Sequence, residues 1–156
     1  MIERELPTPA DTEHLGRLLA DTLPPRAVVL LDGELGAGKT TLARALLHRL
    51  GTTGPVRSPT YTLVERYATA AGEVAHLDLY RIADPEELLY LGLDDLAENA
   101  RLWLVEWPER GRGALPAADL RLRLEHAGQG RRATLEGLSE AGRGWLRDLS
   151  VTATHP

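Results

Sequence analysis

The fold of this chain is decided by the stretch Gly33-Glu34-Leu35-Gly36-Ala37-Gly38-Lys39-Thr40-Thr41. It matches the pattern G-x-x-x-x-G-K-S/T, which defines a phosphate-binding loop, or P-loop, when it joins a strand to a helix. The flanking sequence supplies that context. Residues 27–31 are an apolar run typical of a strand buried on both faces, and leucines recur at helical spacing from about Thr40 until Gly51. The motif in this context predicts a nucleotide-binding protein.

The chemistry of the motif explains why these residue types occur at this spacing. Glycines let the backbone curl so that its amide hydrogens point at a polyphosphate, and the start of the following helix adds its positive dipole end. We expect Lys39, the only lysine among 18 basic residues, on the β- and γ-phosphates and the Thr40 hydroxyl on Mg²⁺. The predicted phosphate-binding residues are Gly33, Gly36, Ala37, Gly38, Lys39, Thr40 and Thr41.

Composition narrows the class of protein. The chain has 156 residues, 43% hydrophobic and 26% charged, which predicts a single domain over residues 1–156. It has no cysteine, so disulfides, cysteine nucleophiles and thiolate metal sites are excluded. It lacks the run of about 18 apolar residues that a membrane span needs, and charges follow the first methionine where a signal peptide would be apolar. We therefore expect a cytoplasmic protein with no membrane partner.

A P-loop site also uses a carboxylate at the end of a neighbouring strand, where it organises Mg²⁺ and water. Glu106 fits this role, because it ends the apolar strand predicted over residues 102–105. Asp78 is the competing acid and lies late in a strand predicted over residues 74–80. A solvent-facing position on an alternating strand would explain Asp78 equally well. These patterns leave open which acid has the main role.

The remaining patterns predict helices and strands that alternate around one sheet. Thr8 and Pro9 predict the start of a helix, and residues 139–156 form a weakly defined tail with a short helical segment near residues 145–149. Further strands are predicted at 61–67, 120–124 and 133–138, and short helical segments at 85–92 and 94–100. Together, these strands and helices predict a three-layer α/β protein with the P-loop NTPase fold, in which antiparallel strands extend a mainly parallel central sheet.

Two observations bear on which kind of P-loop protein this is. Guanine recognition usually requires an Asn-Lys-x-Asp loop, and the only asparagine and lysine are Asn99 and Lys39, so a Ras-like GTPase is disfavoured. A small-molecule kinase remains an alternative, because Arg110, Arg112 or Arg131 could close over the phosphates as a lid.

Four stretches, in this order along the chain, resemble the TsaE (YjeE) family. They are the P-loop stretch, Ser58-Pro59-Thr60-Tyr61-Thr62-Leu63-Val64-Glu65, His76-Leu77-Asp78-Leu79-Tyr80-Arg81 and Leu104-Val105-Glu106-Trp107-Pro108-Glu109. The resemblance covers about residues 12–132. This family consists of bacterial ATPases required for the threonylcarbamoyl modification of adenosine in tRNAs that read ANN codons. The resemblance therefore implies ATP and Mg²⁺ as cofactors and an ATPase that is slow in isolation.

The same resemblance implies the partners. They are TsaD-type and TsaB-type proteins of the tRNA-modification complex, which ATP turnover would reset between catalytic cycles. The net charge of -5 favours action on these proteins over direct tRNA binding as the main role. A nucleotide-gated binding module, in which hydrolysis is incidental, remains an alternative from another class.

The resemblance also implies roles for individual residues. Lys39, Asp78 and Glu106 form the catalytic set, with Glu106 beside the metal and Asp78 on the γ-phosphate side. Residues 58–62 resemble a switch-like loop, in which Thr60 senses the γ-phosphate and Tyr61 reports the nucleotide state to the partners. Three further residues complete the expected nucleotide site: Trp107 at its flank, Arg131 from the predicted hairpin, and Thr12 at the base.

Overall fold

The computed structural model describes residues 1–34, 36–52, 54–60 and 62–154, with side chains described as far as residue 152. The strands are β1 (Ile2–Leu6), β2 (Ala27–Gly33), β3 (Val64–Thr69), β4 (Gly72–Asp78), β5 (Ala100–Glu106), β6 (Leu120–Ala127) and β7 (Gly130–Gly137). The α-helices are α1 (Pro9–Asp21), α2 (Lys39–Arg49), α3 (Leu93–Asn99) and α4 (Glu140–Thr154), and 3₁₀ helices cover Pro85–Leu91 and Pro108–Gly111.

The strands form one seven-stranded sheet in the order β1-β7-β6-β2-β5-β4-β3. Strands β6, β2, β5 and β4 are parallel to one another, whereas β7 and β1 extend one side and β3 the other by antiparallel pairing. This arrangement confirms the predicted parallel centre with antiparallel extensions. Because the parallel strands β2, β5 and β4 end at the same edge, the P-loop after β2 lies at the edge where its neighbour β5 and the next strand, β4, also end.

Strand register brings the two predicted acids to that edge. Leu31 of β2 pairs with Glu106 of β5, and Glu106 pairs on its other side with Asp78 of β4. The two carboxylates therefore end adjacent strands side by side.

Two hydrophobic clusters cover the two faces of the sheet. One joins α1, α2 and α4 to the sheet, with Trp145 among its largest buried side chains. The other contains Trp103 of β5 together with Leu88 and Leu96 from the helical segments on the opposite face. The sheet therefore lies between two helical layers, as predicted.

The start of α1 is fixed by local chemistry, as the sequence predicts. The backbone N–H and the hydroxyl of Thr8 both donate to the Asp11 carboxylate, at 2.9 and 2.7 Å. Along α1, Gly16 allows close packing on α2, because a Cβ there would lie 2.6 Å from the carbonyl oxygen of Leu42. This packing holds Thr12 beside the P-loop.

Several element boundaries differ from the sequence predictions. Strand β1 was not predicted, and α4 extends well beyond the predicted segment at 145–149. Strand β3 begins at Val64 instead of residue 61, because the Leu63 N–H bonds the Pro59 carbonyl in a turn, at 2.8 Å. Strand β4 ends at Asp78, and the segment after Asp84 is a 3₁₀ helix.

Among the described residues, no helix combines the length and the apolar character that crossing a membrane requires.

Candidate functional site

The P-loop joins β2 to α2 through a sharply curled backbone. Gly36 and Gly38 adopt positive φ angles of 82° and 105°, which side chains rarely allow, and α2 begins directly afterwards at Lys39. Gly33 ends β2 so close to β6 that a Cβ there would lie 2.8 Å from the Leu124 carbonyl oxygen. The glycine positions thus follow from the path of the backbone.

A carboxylate lies directly against the P-loop lysine. The Lys39 Nζ is 3.1 Å from Oε1 of Glu106, with the two side chains only 11% and 8% exposed. The other oxygen, Oε2, is 2.7 Å from Nε2 of His76. We refer to Lys39, His76 and Glu106 together as the Glu106 cluster.

The charge state of Glu106 is set by these two contacts. Burial alone would raise the pKa of its carboxyl, but the interactions with His76 and Lys39 outweigh that effect, so the pKa lies below its ordinary value. Glu106 is therefore a buried carboxylate that stays ionised at neutral pH.

Asp78 lies beside the Glu106 cluster but is held differently. It is buried, its Oδ1 accepts the backbone N–H of Tyr80 at 3.0 Å, and its own N–H donates to the Leu63 carbonyl at 2.9 Å. Leu63 has a positive φ of 68° at this point. Asp78 is thus tied to the backbone of the loop that ends at β3, whereas Lys39 contacts Glu106.

Trp107 flanks the P-loop lysine. Its backbone has a positive φ of 56°, unusual for a large side chain, and its ring centroid lies 5.8 Å from the Lys39 ammonium nitrogen. The Tyr80 ring packs on Trp107 at a centroid distance of 4.9 Å. The aromatic pair covers one side of the cluster.

Two hollows open on either side of the P-loop. One, of about 500 Å³, is lined by Gly33, Lys39 and Trp107 together with the end of β6. The other, of about 150 Å³, brings Thr12 and Arg131 together against the loop; its P-loop lining is Gly36, Gly38 and Thr41. Residues far apart in sequence therefore meet at the P-loop.

Arg131 has a defined contact with the P-loop. Its guanidinium donates to the Gly36 carbonyl at 3.0 Å and to its own neighbour Gly130 at 2.8 Å. Thr12 is almost fully buried, and its methyl group faces Gly38. This side of the loop is held by a guanidinium and a buried threonine, without buried ion pairs among the described residues.

The predicted switch loop is described only in part. The hydroxyl of Thr60 is 2.8 Å from that of Ser58, and within the described ranges no hydrogen bond joins Thr60 to the P-loop. Tyr61, predicted to report the nucleotide state, lies outside the described residues. Thr40 and Thr41 occupy the first turn of α2 and are half-buried.

His76 lies in one of the four stretches that resemble the TsaE family, but the sequence assigned it no role. His76 and Asp78 are the polar residues of the buried end of β4, two positions apart on one face of the strand. Two polar side chains at this spacing in an otherwise apolar strand are a pattern that could have paired them with Glu106.

The donor set suits Mg²⁺ that is bound together with phosphates. The described part of the chain contains no group of three His, Cys, Asp or Glu side chains placed to hold a metal by itself. Thr40, Asp78 and Glu106 supply oxygen donors, and Mg²⁺ usually takes only one or two carboxylates when substrate phosphates complete its coordination.

The fold and the loop define the class: this is a protein of the P-loop NTPase fold. The crystal structure of YdiB from Bacillus subtilis superimposes with a TM-score of 0.83 and 27% identity, covering 97% of this chain and 95% of that one. The chain belongs to the TsaE family, because the family model "Threonylcarbamoyl adenosine biosynthesis protein TsaE" matches residues 6–134. The family predicted from the four stretches is thereby confirmed.

Curated relatives agree with this family. A protein of Haemophilus influenzae named "tRNA threonylcarbamoyladenosine biosynthesis protein TsaE" is 45% identical over 123 residues, which is 79% of this chain and 78% of that protein. A protein of the same name from Bacillus subtilis is 36% identical over 124 residues, covering 80% and 77% of the two chains.

Proposed function

We propose that this chain is a Mg²⁺-dependent ATPase of tRNA threonylcarbamoyladenosine biosynthesis that acts on a complex of TsaD-type and TsaB-type proteins. The relatives from Haemophilus influenzae and Bacillus subtilis are named for this biosynthetic pathway. The observation that carries ATP use is the buried pair of Lys39 and Glu106 beside the P-loop. A lysine and a strand-end acid in this relation are the groups that phosphoryl transfer requires.

Each part of the site has a distinct task in this proposal. Lys39 leaves Glu106 and binds the β- and γ-phosphates, while the P-loop amides surround them. Thr40 and Glu106 would hold Mg²⁺, which would supply positive charge to the phosphates when bound. Asp78, the second buried carboxylate, orients the attacking water.

The site on the other side of the loop positions the nucleotide. Arg131 holds the P-loop through the Gly36 carbonyl, and Thr12 closes the smaller hollow near the base. These residues contribute to nucleotide affinity without reaching the reacting phosphate.

A small-molecule kinase is the second candidate, favoured by one observation. The hollow of about 500 Å³ beside Lys39 is large enough for an acceptor molecule. Two of the three arginines that could form the lid of such a kinase are engaged elsewhere: Arg110 bonds the Ile82 carbonyl at 3.3 Å, and Arg131 bonds the Gly36 carbonyl. Arg112 is the candidate that remains. A kinase would transfer phosphate to a small molecule, whereas an ATPase transfers it to water.

The experiment is a tRNA modification assay with purified TsaD-type and TsaB-type proteins, with and without this chain. We expect multiple rounds of modification only with this chain and ATP, and none with Lys39→Ala. A chain that sustains repeated modification with a non-hydrolysable ATP analogue would be a nucleotide-gated binding module. Modification that is unaffected by the chain would contradict the proposal altogether.

A further inference from the structure

Glu106 is shared between two donors of different character. Lys39 contacts Oε1 from a flexible four-carbon stem, whereas His76 contacts Oε2 from β4, a strand that is paired on both sides. The His76 side chain is 1% exposed, and its Nδ1 has no hydrogen-bond partner among the described residues. Among the described residues, the contact with Glu106 is therefore the hydrogen bond that the His76 imidazole makes.

We propose that His76 is a positioning residue, which holds Glu106 in place when Lys39 leaves it for the nucleotide phosphates. Oε1 of Glu106 then becomes free for Mg²⁺ while Oε2 stays fixed. The binding of nucleotide and the binding of Mg²⁺ are thereby coupled through one carboxylate. This inference rests on the proposed function, since it assumes that the P-loop takes a nucleotide.

The need for such a residue follows from the burial of Glu106. A buried carboxylate that loses its donors is strongly disfavoured, because desolvation is no longer offset by pairing. When Lys39 moves away, Asp78 still occupies the adjacent register position, and its like charge repels Glu106. His76 is the donor that remains.

The rigidity of β4 makes His76 suited to this task. Strand β4 lies between β3 and β5, and His76 pairs with Leu104, two residues before Glu106. Its Nε2 lies 2.7 Å from Oε2, so the tautomer that carries its hydrogen on Nε2 donates to Glu106. The hydrogen bond therefore does not depend on any group that moves with the nucleotide.

The test compares two substitutions of similar length. In His76→Gln the amide nitrogen lies as many bonds from Cβ as the imidazole Nε2 and can still donate to Glu106. In His76→Met the donor is removed and the volume is nearly kept. Calorimetric titration of each variant with ADP, in the presence and absence of Mg²⁺, gives the factor by which Mg²⁺ tightens nucleotide binding.

We expect His76→Met to weaken metal-free ADP binding about tenfold, because the departure of Lys39 then leaves a buried carboxylate with no donor. Mg²⁺ should restore most of this loss by pairing with Glu106, so the Mg²⁺ factor should rise. His76→Gln should retain the factor within about twofold. If His76→Met does not fold, His76→Asn takes its place, because its shorter amide cannot reach Glu106.

Three results would overturn the inference. In one, the donor-free variant keeps the wild-type metal-free ADP affinity and Mg²⁺ factor; in another, both variants change the factor equally, so that only the shape of His76 matters. In the third, ADP affinity falls equally with and without Mg²⁺, which is the mark of a general structural defect. A wild-type chain that binds no nucleotide would instead overturn the proposed function, so the two failures are distinguishable.

Discussion

The two sides of the P-loop are built from different interactions. On one side, the Glu106 cluster buries three charged and polar side chains that satisfy one another. On the other, a half-buried arginine bonds a backbone carbonyl next to a buried threonine. Pre-organised charge in a buried site is typical of groups that act on a transition state, whereas neutral contacts and single hydrogen bonds contribute to binding. The difference predicts that substitutions on the first side change turnover and those on the second change affinity.

The largest effect is expected from Lys39→Ala. It removes the ammonium that would stabilise charge on the β- and γ-oxygens, so ATP turnover should fall about 10² to 10³-fold. Lys39→Arg should also lose ATP turnover, because the planar guanidinium is too large for the P-loop. Phosphate release measures both. If either variant hydrolysed ATP at the wild-type rate, the expected role of the Glu106 cluster in turnover would be wrong.

Glu106→Gln is expected to rank next, with a loss of about 10²-fold in turnover and of most Mg²⁺ dependence. Asp78→Asn is its matched control, because the amide oxygen can still accept the Tyr80 N–H. We expect Asp78→Asn to be slower than wild type yet still dependent on Mg²⁺. Titration of Mg²⁺ at fixed ATP distinguishes the two variants. If Asp78→Asn lost the Mg²⁺ dependence and Glu106→Gln kept it, Asp78 would be the main acid.

A pH dependence of stability should accompany the buried charge of Glu106. Its pKa in the folded chain lies below the ordinary value of 4.5, so the carboxylate stabilises the fold above that value. This contribution is lost as the pH falls through the lowered pKa. Urea unfolding of wild type and Glu106→Gln should therefore show the largest stability difference at neutral pH and a shrinking one in acid. A difference independent of pH would mean that the charge of Glu106 does not contribute.

The smallest effect is expected on the other side of the loop. Arg131→Met should weaken ADP binding about threefold, because one partly exposed hydrogen bond to the loop is lost, and leave turnover at saturating ATP unchanged. Arg132→Met is the matched control, since the neighbouring arginine bonds Glu5 and points away from the loop. If Arg131→Met lowered turnover instead of affinity, the division between the two sides would be wrong.

The parts of the fold that could be predicted are those with strong local patterns. The P-loop, the start of α2 and the buried strands have glycines, capping groups or apolar runs that leave few alternatives. Strand β1 could not be predicted, because five residues alternating with charges form a strand only by pairing with β7 at the far end of the chain. Its partner is set by tertiary structure, which no local pattern contains.

Helix α4 shows the same limit in another form. Gly142 and Gly144 lower its helix propensity, so only a short segment was expected. In the structure, Gly142 passes so close to Asp119 that no side chain would fit, and Trp145 and Leu149 are buried against the sheet. Packing outweighs propensity here.

The residues of the candidate site could be predicted from the sequence, but most contacts between their side chains could not. Lys39 and Glu106 are identified by motif and strand position, but their contact with each other requires the three-dimensional register of β2, β5 and β4. His76 was not assigned a role: its spacing from Asp78 in an apolar strand marks it, but its contact with Glu106 depends on the pairing of β4 with β5.

The most direct test of the claim that the Glu106 cluster turns over ATP is single-turnover release of inorganic phosphate, with wild type and Glu106→Gln compared side by side. Both proteins should first be shown to bind ADP equally without metal. We expect slow, Mg²⁺-dependent release by wild type and release about 10²-fold slower by Glu106→Gln. Equal rates in the two proteins, or no release by wild type with Mg²⁺ and partners present, would contradict the claim.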